Sequence, residues 1–230
     1  MARRPVYIPT RDGLTLVLTR MVDFKWHAGM SAAQKRKSVI ELHKEAQESL
    51  KVDRILEISS KSTSDQGVAL SAFNLTFQTK RHERSFTVES VFQGSKVFEN
   101  GGPYTDIYGA APRDAKRDER LRTSGKLIAF RFFKDDWPLE PKTAFYDWVY
   151  INSLMKNPSL RDTLEYNDAF TDIEFNPDKS INCQAHSAAL YVSLKLRNCL
   201  DIALSSKESF LEIVNGSCAA SAEQACLGLP

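Results

Sequence analysis

Between Ser31 and Leu50 the apolar positions Val39, Leu42, Ala46 and Leu50 recur at three- and four-residue spacing behind a Ser31/Gln34 capping box. That pattern predicts an amphipathic helix over 31–50, whose other face is basic: Lys35, Arg36, Lys37 and Lys44. RILEIS (54–59) reads as extended, and a longer extended stretch follows, with Val68 and Leu70 on one parity and Phe73, Leu75 and Phe77 on the other. A strand with one buried face changes parity only at a bulge or bend, here at Ala72/Phe73. Thr87 predicts the cap of a helix running to about Phe98, with Val88, Val91, Phe92 and Ser95 inward and Asn100-Gly101-Gly102-Pro103 as its stop. Within 141–156, Phe145, Trp148, Val149 and Asn152 share a helical face. Asn157-Pro158 then opens a short helix with Leu160 and Leu164. After the loop 171–182 comes the stripe Ala185, Ala189, Val192, Leu196. From about Asn198 one weak helix signal, SKESFLEIV, precedes a run of small residues, so 198–230 reads as a peripheral, partly disordered tail.

Helices joined to short extended segments predict an α+β fold, a helix-rich single domain around a small β-sheet. The 230 residues, 42% hydrophobic and 26% charged, suit one large domain with a buried core and exclude a multidomain machine. The longest apolar run, Ala188 to Val192, is five residues, far short of a membrane span. The start, MARRPVYIPTRDG, lacks the apolar region of a secretory signal, so a cytoplasmic address is expected. A formal charge of +2 is too small for coating nucleic acid nonspecifically, but residues 113–134 hold eight Lys/Arg against three acids. The cysteines at 183, 199, 218 and 226 have neither CxxC spacing nor the look of a secreted disulfide framework, so reduced thiols are expected.

Histidines stand at 27, 43, 82 and 186, and no HExxH, GxSxG, GxxxxGK[ST] or GxGxxG occurs. Zinc hydrolase, serine hydrolase, P-loop and dinucleotide-fold readings therefore lack their motifs, and no metal or cofactor is implied. Cys183 and His186 have ligand-like spacing without a second half-site; a small thiol beside a satisfied histidine is the simpler reading. On the expected helix 87–98, Glu89 and Lys96 are seven residues apart, two turns, separated by roughly 10 Å along the axis. With Phe92 and Gln93 between them, carboxylate, amide and amine can line one cleft. The plainer alternative is an exposed helical face, and periodicity does not choose between the two.

SFTVESVFQGSKVF (85–98) resembles the signature of the NADAR, or YbiA-like, superfamily: a Thr-Val-Glu helix start, Phe-Gln three and four residues on, and Lys at seven. The matching residues are Thr87, Val88, Glu89, Phe92, Gln93 and Lys96. LSAFNLTF (70–77), which contains Ser71, resembles the family's FSNF-type segment. AKRDERL (115–121) is similar to its arginine motif, with Arg117 as the arginine, and Asp136-Trp137 to its Asp-Trp. MKNPSLRDTL (155–164) is similar to its QNPxLRxxLL stretch, and Asn182 lies where the family has the Asn that opens its last helix. TDIEFNPDKS departs from the family's Asp-x-x-Trp-Gly; Phe175 takes the tryptophan's place, and the acid's place falls among Asp172, Glu174 and Asp178. The resemblance covers about 67–197, which gives three regions: a family-specific extension over 1–66, a core over 67–197 and a tail over 198–230. FKWHAGM (24–30), the basic helix and SINCQAHSAALYVSLKLR resemble the NADAR antitoxins associated with DarT-type DNA ADP-ribosyltransferases.

The resemblance implies an enzyme that hydrolyses the N-glycosidic bond between ADP-ribose and guanine in DNA, with the toxin a separate polypeptide. It makes Glu89 and Lys96 the catalytic pair, and Ser71, Phe92, Gln93, Arg117, Trp137, Phe175 and Asn182 the substrate-binding candidates. Lys96 then attacks C1 of the ribose to form a Schiff base, or Glu89 activates water while Lys96 positions the substrate. Arg117 suits a diphosphate and Trp137 or Phe92 a stacked base, against solvated charge and buried core as the ordinary fates of such residues. Expected partners are ADP-ribosylated DNA, ADP-ribose as product and the cognate toxin, with no membrane. Two other functions stay open: N-glycoside cleavage of phosphoribosyl intermediates from riboflavin biosynthesis, as in YbiA-like enzymes, and an ADP-ribose- or toxin-binding module without turnover.

Overall fold

The computed structural model describes residues 1–29, 31–78 and 84–217. In chain order its elements are β1 (Ala2–Pro9), β2 (Val17–Phe24), α1 (Ala32–Leu50), β3 (Ile55–Glu57), α2 (Asp65–Ala69), β4 (Thr76–Gln78), β5 (Ser85–Thr87), α3 (Val88–Gly94) and β6 (Lys96–Phe98). Then come α4 (Pro112–Arg117), α5 (Arg120–Thr123), β7 (Leu127–Phe132), β8 (Asp135–Trp137), α6 (Ala144–Met155), α7 (Pro158–Arg161), β9 (Ala169–Thr171), α8 (Gln184–Leu196), α9 (Leu200–Ser205) and α10 (Lys207–Glu212). This is the α+β architecture expected. Met30, His82, Cys218 and Cys226 lie outside the described residues.

Ser31 caps α1 by accepting the Gln34 amide, and Val39, Leu42 and Ala46 are buried as their spacing requires. They lie on a sheet of order β2-β1-β9-β3, in which β1 pairs antiparallel with β2 and β9, and β3 parallel with β9. α1 covers one face through Val6, Val22, Phe24, Ala169 and Ile173. α8 covers the other, where Tyr7 and Phe170 join the larger core with Ala185, Ala188 and Val192. Residues 1–66 thus supply three of this sheet's four strands.

Two local expectations change and one holds. Residues 65–69 are helical, not extended: Ser64 accepts the Gly67 amide, and Gly67 packs so closely that a Cβ would meet Glu57 O at 2.0 Å. The bend expected at Ala72/Phe73 is present as a turn, in which the Asn74 and Leu75 amides both donate to Ser71 O. The helix begun at Thr87 stops at Gly94 instead of reaching Phe98. Strand pairing with β7 ends it: the Arg131 amide donates to Ser95 O at 2.7 Å, and Lys96 pairs with Phe130.

The expected cap Asn157 makes no side-chain cap bond; its Nδ2 donates to Thr76 O and Ser153 O. After Asn198 the chain forms α9 and α10, with Ala203 and Phe210 fully buried in the larger core. Phe210 meets Trp137 edge-on at 6.4 Å, so this part of the expected tail is packed against β8. Among the described residues no helix is long and apolar enough to cross a membrane.

Candidate active site

α3 is pinned at its first turn. Thr87 Oγ1 accepts the Ser90 amide, while the amides of Val88 and Glu89 donate to Leu75 O and Ala72 O, and all seven helical residues are buried. One wall of a cleft of about 1110 Å³ is thereby fixed, and Glu89, Phe92, Gln93 and Lys96 line it. Gln93 stands one helical turn after Glu89, and its Nε2 donates to Glu89 Oε1 at 2.9 Å. Lys96, at the start of β6, donates from Nζ to Gln93 Oε1 at 2.6 Å. A single amide therefore joins carboxylate and amine, in place of the two-turn gap expected on a continuous helix. Lys116 Nζ, from α4, lies 3.7 Å from Glu89 Oε1.

Burial lowers the Lys96 pKa to about 8; Glu89 opposes that shift and the like charge of Lys116 adds to it. Its Nζ also lies 4.9 Å from the centroid of the Phe92 ring. The opposite wall is the 172–184 segment. Asp172 Oδ1 accepts the amides of Glu174 and Phe175, and Oδ2 accepts from Gln184 Nε2 at 3.1 Å. Gln184 Oε1 in turn accepts the Ala72 amide at 2.6 Å, tying the two walls together. Burial, then neighbouring Glu57, pushes the Asp172 carboxyl well above the usual carboxylate range. Glu57 is itself buried and raised, although its oxygens accept from Ser59 Oγ, Thr171 Oγ1 and the Ile173 amide. Asn182 lines the cleft with a buried Oδ1 that has no hydrogen-bond partner among the described residues.

A family model described as the DarT1-associated NADAR antitoxin matches residues 2–224. The chain belongs to that family. Among curated proteins none matches it.

In this NADAR protein the cleft gathers Ser71, Glu89, Phe92, Gln93, Lys96, Phe175 and Asn182, seven of the nine site candidates. Two candidates lie elsewhere. Arg117 is exposed and outside the lining, because it sits about 100° round α4 from Lys116, whereas Arg113 and Lys116 face the cleft. Trp137 is 1% exposed and packs in the core against Phe145, Trp148 and Phe210, so it has no face for a base. Of the three acids left open, all line the cleft, and Asp172 is the buried one.

Lys116, Tyr146 and Gln184 also line the cleft, and no motif along the chain marks them as parts of a site. The signal available for Gln184 is its place as the first residue of α8. The Cys183 thiol is buried, and His186 Nδ1 lies 3.3 Å from Asp147 Oδ1.

Proposed function

We propose that this antitoxin-family member is an N-glycoside hydrolase that removes ADP-ribose from guanine bases in DNA, reversing the modification made by a DarT-type toxin. The observation that carries the reading is the Glu89–Gln93–Lys96 row, an acid and an amine joined by one amide in the wall of a cleft. Its volume of about 1110 Å³ suits a ligand with two ring systems and a diphosphate.

With a pKa of about 8, roughly a tenth of Lys96 is neutral at pH 7 and has a free electron pair. That pair bonds to ribose C1, and the C1–N bond breaks with its electrons going to the guanine amino nitrogen, which takes up a proton through Glu89. The ribose ring opens to a Schiff base on Lys96. Water, deprotonated by Glu89, adds to C1, and departure of the Lys96 amine releases ADP-ribose. In this scheme Gln93 sets the distance between the two groups, and Asn182 Oδ1 offers an acceptor to a sugar hydroxyl. Arg113 takes the diphosphate role expected of Arg117, since a guanidinium matches phosphate geometry and this one faces the cleft.

The test offers the purified protein three substrates: an oligonucleotide carrying ADP-ribosyl guanine, the same modified nucleoside, and a small phosphoribosyl N-glycoside. Products are followed by mass spectrometry. ADP-ribose released from the oligonucleotide supports the proposal, whereas turnover confined to the small glycoside transfers the chemistry to that class. Tight binding of ADP-ribose without any turnover contradicts the hydrolase and leaves a binding module.

A further inference from the structure

The N-terminal hairpin and the start of α1 carry a group of cations that the scheme above does not use, the nearest of them close to the cleft-lining Asp172 and Asp178. Val6 of β1 lies opposite Thr171, the last residue of β9 and the chain neighbour of the cleft-lining Asp172, and Arg4 stands two residues before Val6. Arg4 is near enough for Asp172 and Asp178 to act on its guanidinium. Its Cζ lies 5.4 Å from the centroid of the Trp26 ring, and Lys35 Nζ, from the first turn of α1, lies 4.4 Å from the same ring. The indole is held edge-on by Phe24 at 6.1 Å and packs on the core layer beneath α1. One aromatic ring thus fixes two cations from different elements, each by cation–π attraction.

Neither cation is neutralised by an ion pair with another described residue, and Glu41, the first acid of α1, is engaged by His27 at 3.3 Å. Arg4 Nη1 donates to the Arg3 carbonyl, while its Nε has no partner among the described residues. Segments 1–9, 23–27 and 31–41, which meet here, hold six Lys/Arg (3, 4, 25, 35, 36, 37) against two acids (23, 41). The neighbouring cleft edge adds Asp172, Glu174 and Asp178, of which Asp172 is pushed toward its neutral form by burial, so the positive excess is confined to the hairpin and α1 side, where it is complementary to a phosphate backbone.

Resting on the DNA reading, we propose that Arg4 and Lys35, presented on Trp26, hold backbone phosphates of the DNA strand next to the modified guanine. The ADP-ribose enters the cleft, and the strand it hangs from runs over the hairpin end. These contacts position the strand without reading its sequence, because they address phosphates alone.

The test measures fluorescence anisotropy of a labelled, unmodified single-stranded oligonucleotide across a salt series. The variants are Arg4→Gln/Lys35→Gln, its charge-keeping counterpart Arg4→Lys/Lys35→Arg, and Lys207→Gln on α10, outside both basic segments, as a control. Loss of two phosphate contacts is expected to weaken binding about tenfold and to reduce the log–log salt slope by about 1.4, at ~0.7 per phosphate. The charge-keeping pair and the control bind as the unmodified protein does. Should the double neutral variant fail to fold, Lys35→Gln alone reads one phosphate and half that slope change. In turnover, the neutral pair raises KM for the modified oligonucleotide but not for the modified nucleoside. An unchanged affinity and slope, or no DNA binding by the unmodified protein, overturns this assignment. Binding that behaves as expected while no ADP-ribose is released keeps the phosphate surface and overturns the hydrolase reading instead.

Discussion

Lys96 reaches Glu89 through the side chain of Gln93, which accepts from the amine at 2.6 Å and donates to the carboxylate at 2.9 Å. Neither charged group is held at its working distance by the other alone. Replacing Gln93 by Ala leaves both reactive groups in place and removes the spacer. A fall of about 10- to 100-fold in kcat, with a smaller change in KM, is expected, since misplacement by about an ångström is enough for such a loss. Steady-state kinetics on the modified oligonucleotide check it, and a Gln93→Ala enzyme of full kcat contradicts the spacer role.

The Lys96 pKa of about 8 sets a pH dependence. Attack needs the neutral amine, so the rate rises with pH through about 8 and levels off above it. Lys116 contributes a like charge that lowers this pKa. Lys116→Gln therefore moves the rising limb to higher pH, while Lys116→Arg leaves it near its place. Single-turnover rates across a pH series read both shifts, and a rate that falls through pH 8 excludes the neutral-amine step.

Arg113 and Arg117 separate sharply on α4, one lining the cleft and the other exposed outside it. Arg113→Gln is expected to raise KM for ADP-ribosyl substrates about tenfold, the scale of one lost charge-assisted hydrogen bond. Arg117→Gln stays within about twofold. Parallel kinetics decide between the two, and equal effects remove the distinction.

Phe210 is fully buried against Trp137 near the end of the described chain. Phe210→Ala is expected to cost about 3–5 kcal/mol, as for other large core truncations. Denaturant melts measure this directly; a loss below about 1 kcal/mol shows that α9 and α10 are peripheral after all.

What the sequence made legible was local. Ser31 and Thr87 as caps, and the stripes of α1 and α8, depend on neighbours three and four residues apart; both caps form, and each stripe is buried except for its last residue, Leu50 or Leu196, which is partly buried. What it hid was set at long range. α3 stops at Gly94 because β7, some thirty residues on, pairs with Lys96–Phe98. The β1/β2 hairpin has no clear mark in the sequence, because Pro5 and Pro9 weaken the strand signal of β1. Similarly, Phe210 looks like part of a weak surface helix until Trp137 is placed beneath it.

The site followed the same division. Glu89, Phe92, Gln93 and Lys96 were visible as one short motif, and the cleft gathers them with Ser71, Phe175 and Asn182. The approach of Lys116 to Glu89 rests on the packing of α4 against α3, which no spacing along the chain records.

The most direct measurement of the central claim compares the unmodified protein with Glu89→Gln and Lys96→Ala on one DNA oligonucleotide bearing ADP-ribosyl guanine, each shown to be folded by its melting curve. Release of ADP-ribose by the unmodified protein, with both variants slower by at least about 100-fold, is the expected result. Either variant releasing ADP-ribose at the full rate contradicts the account.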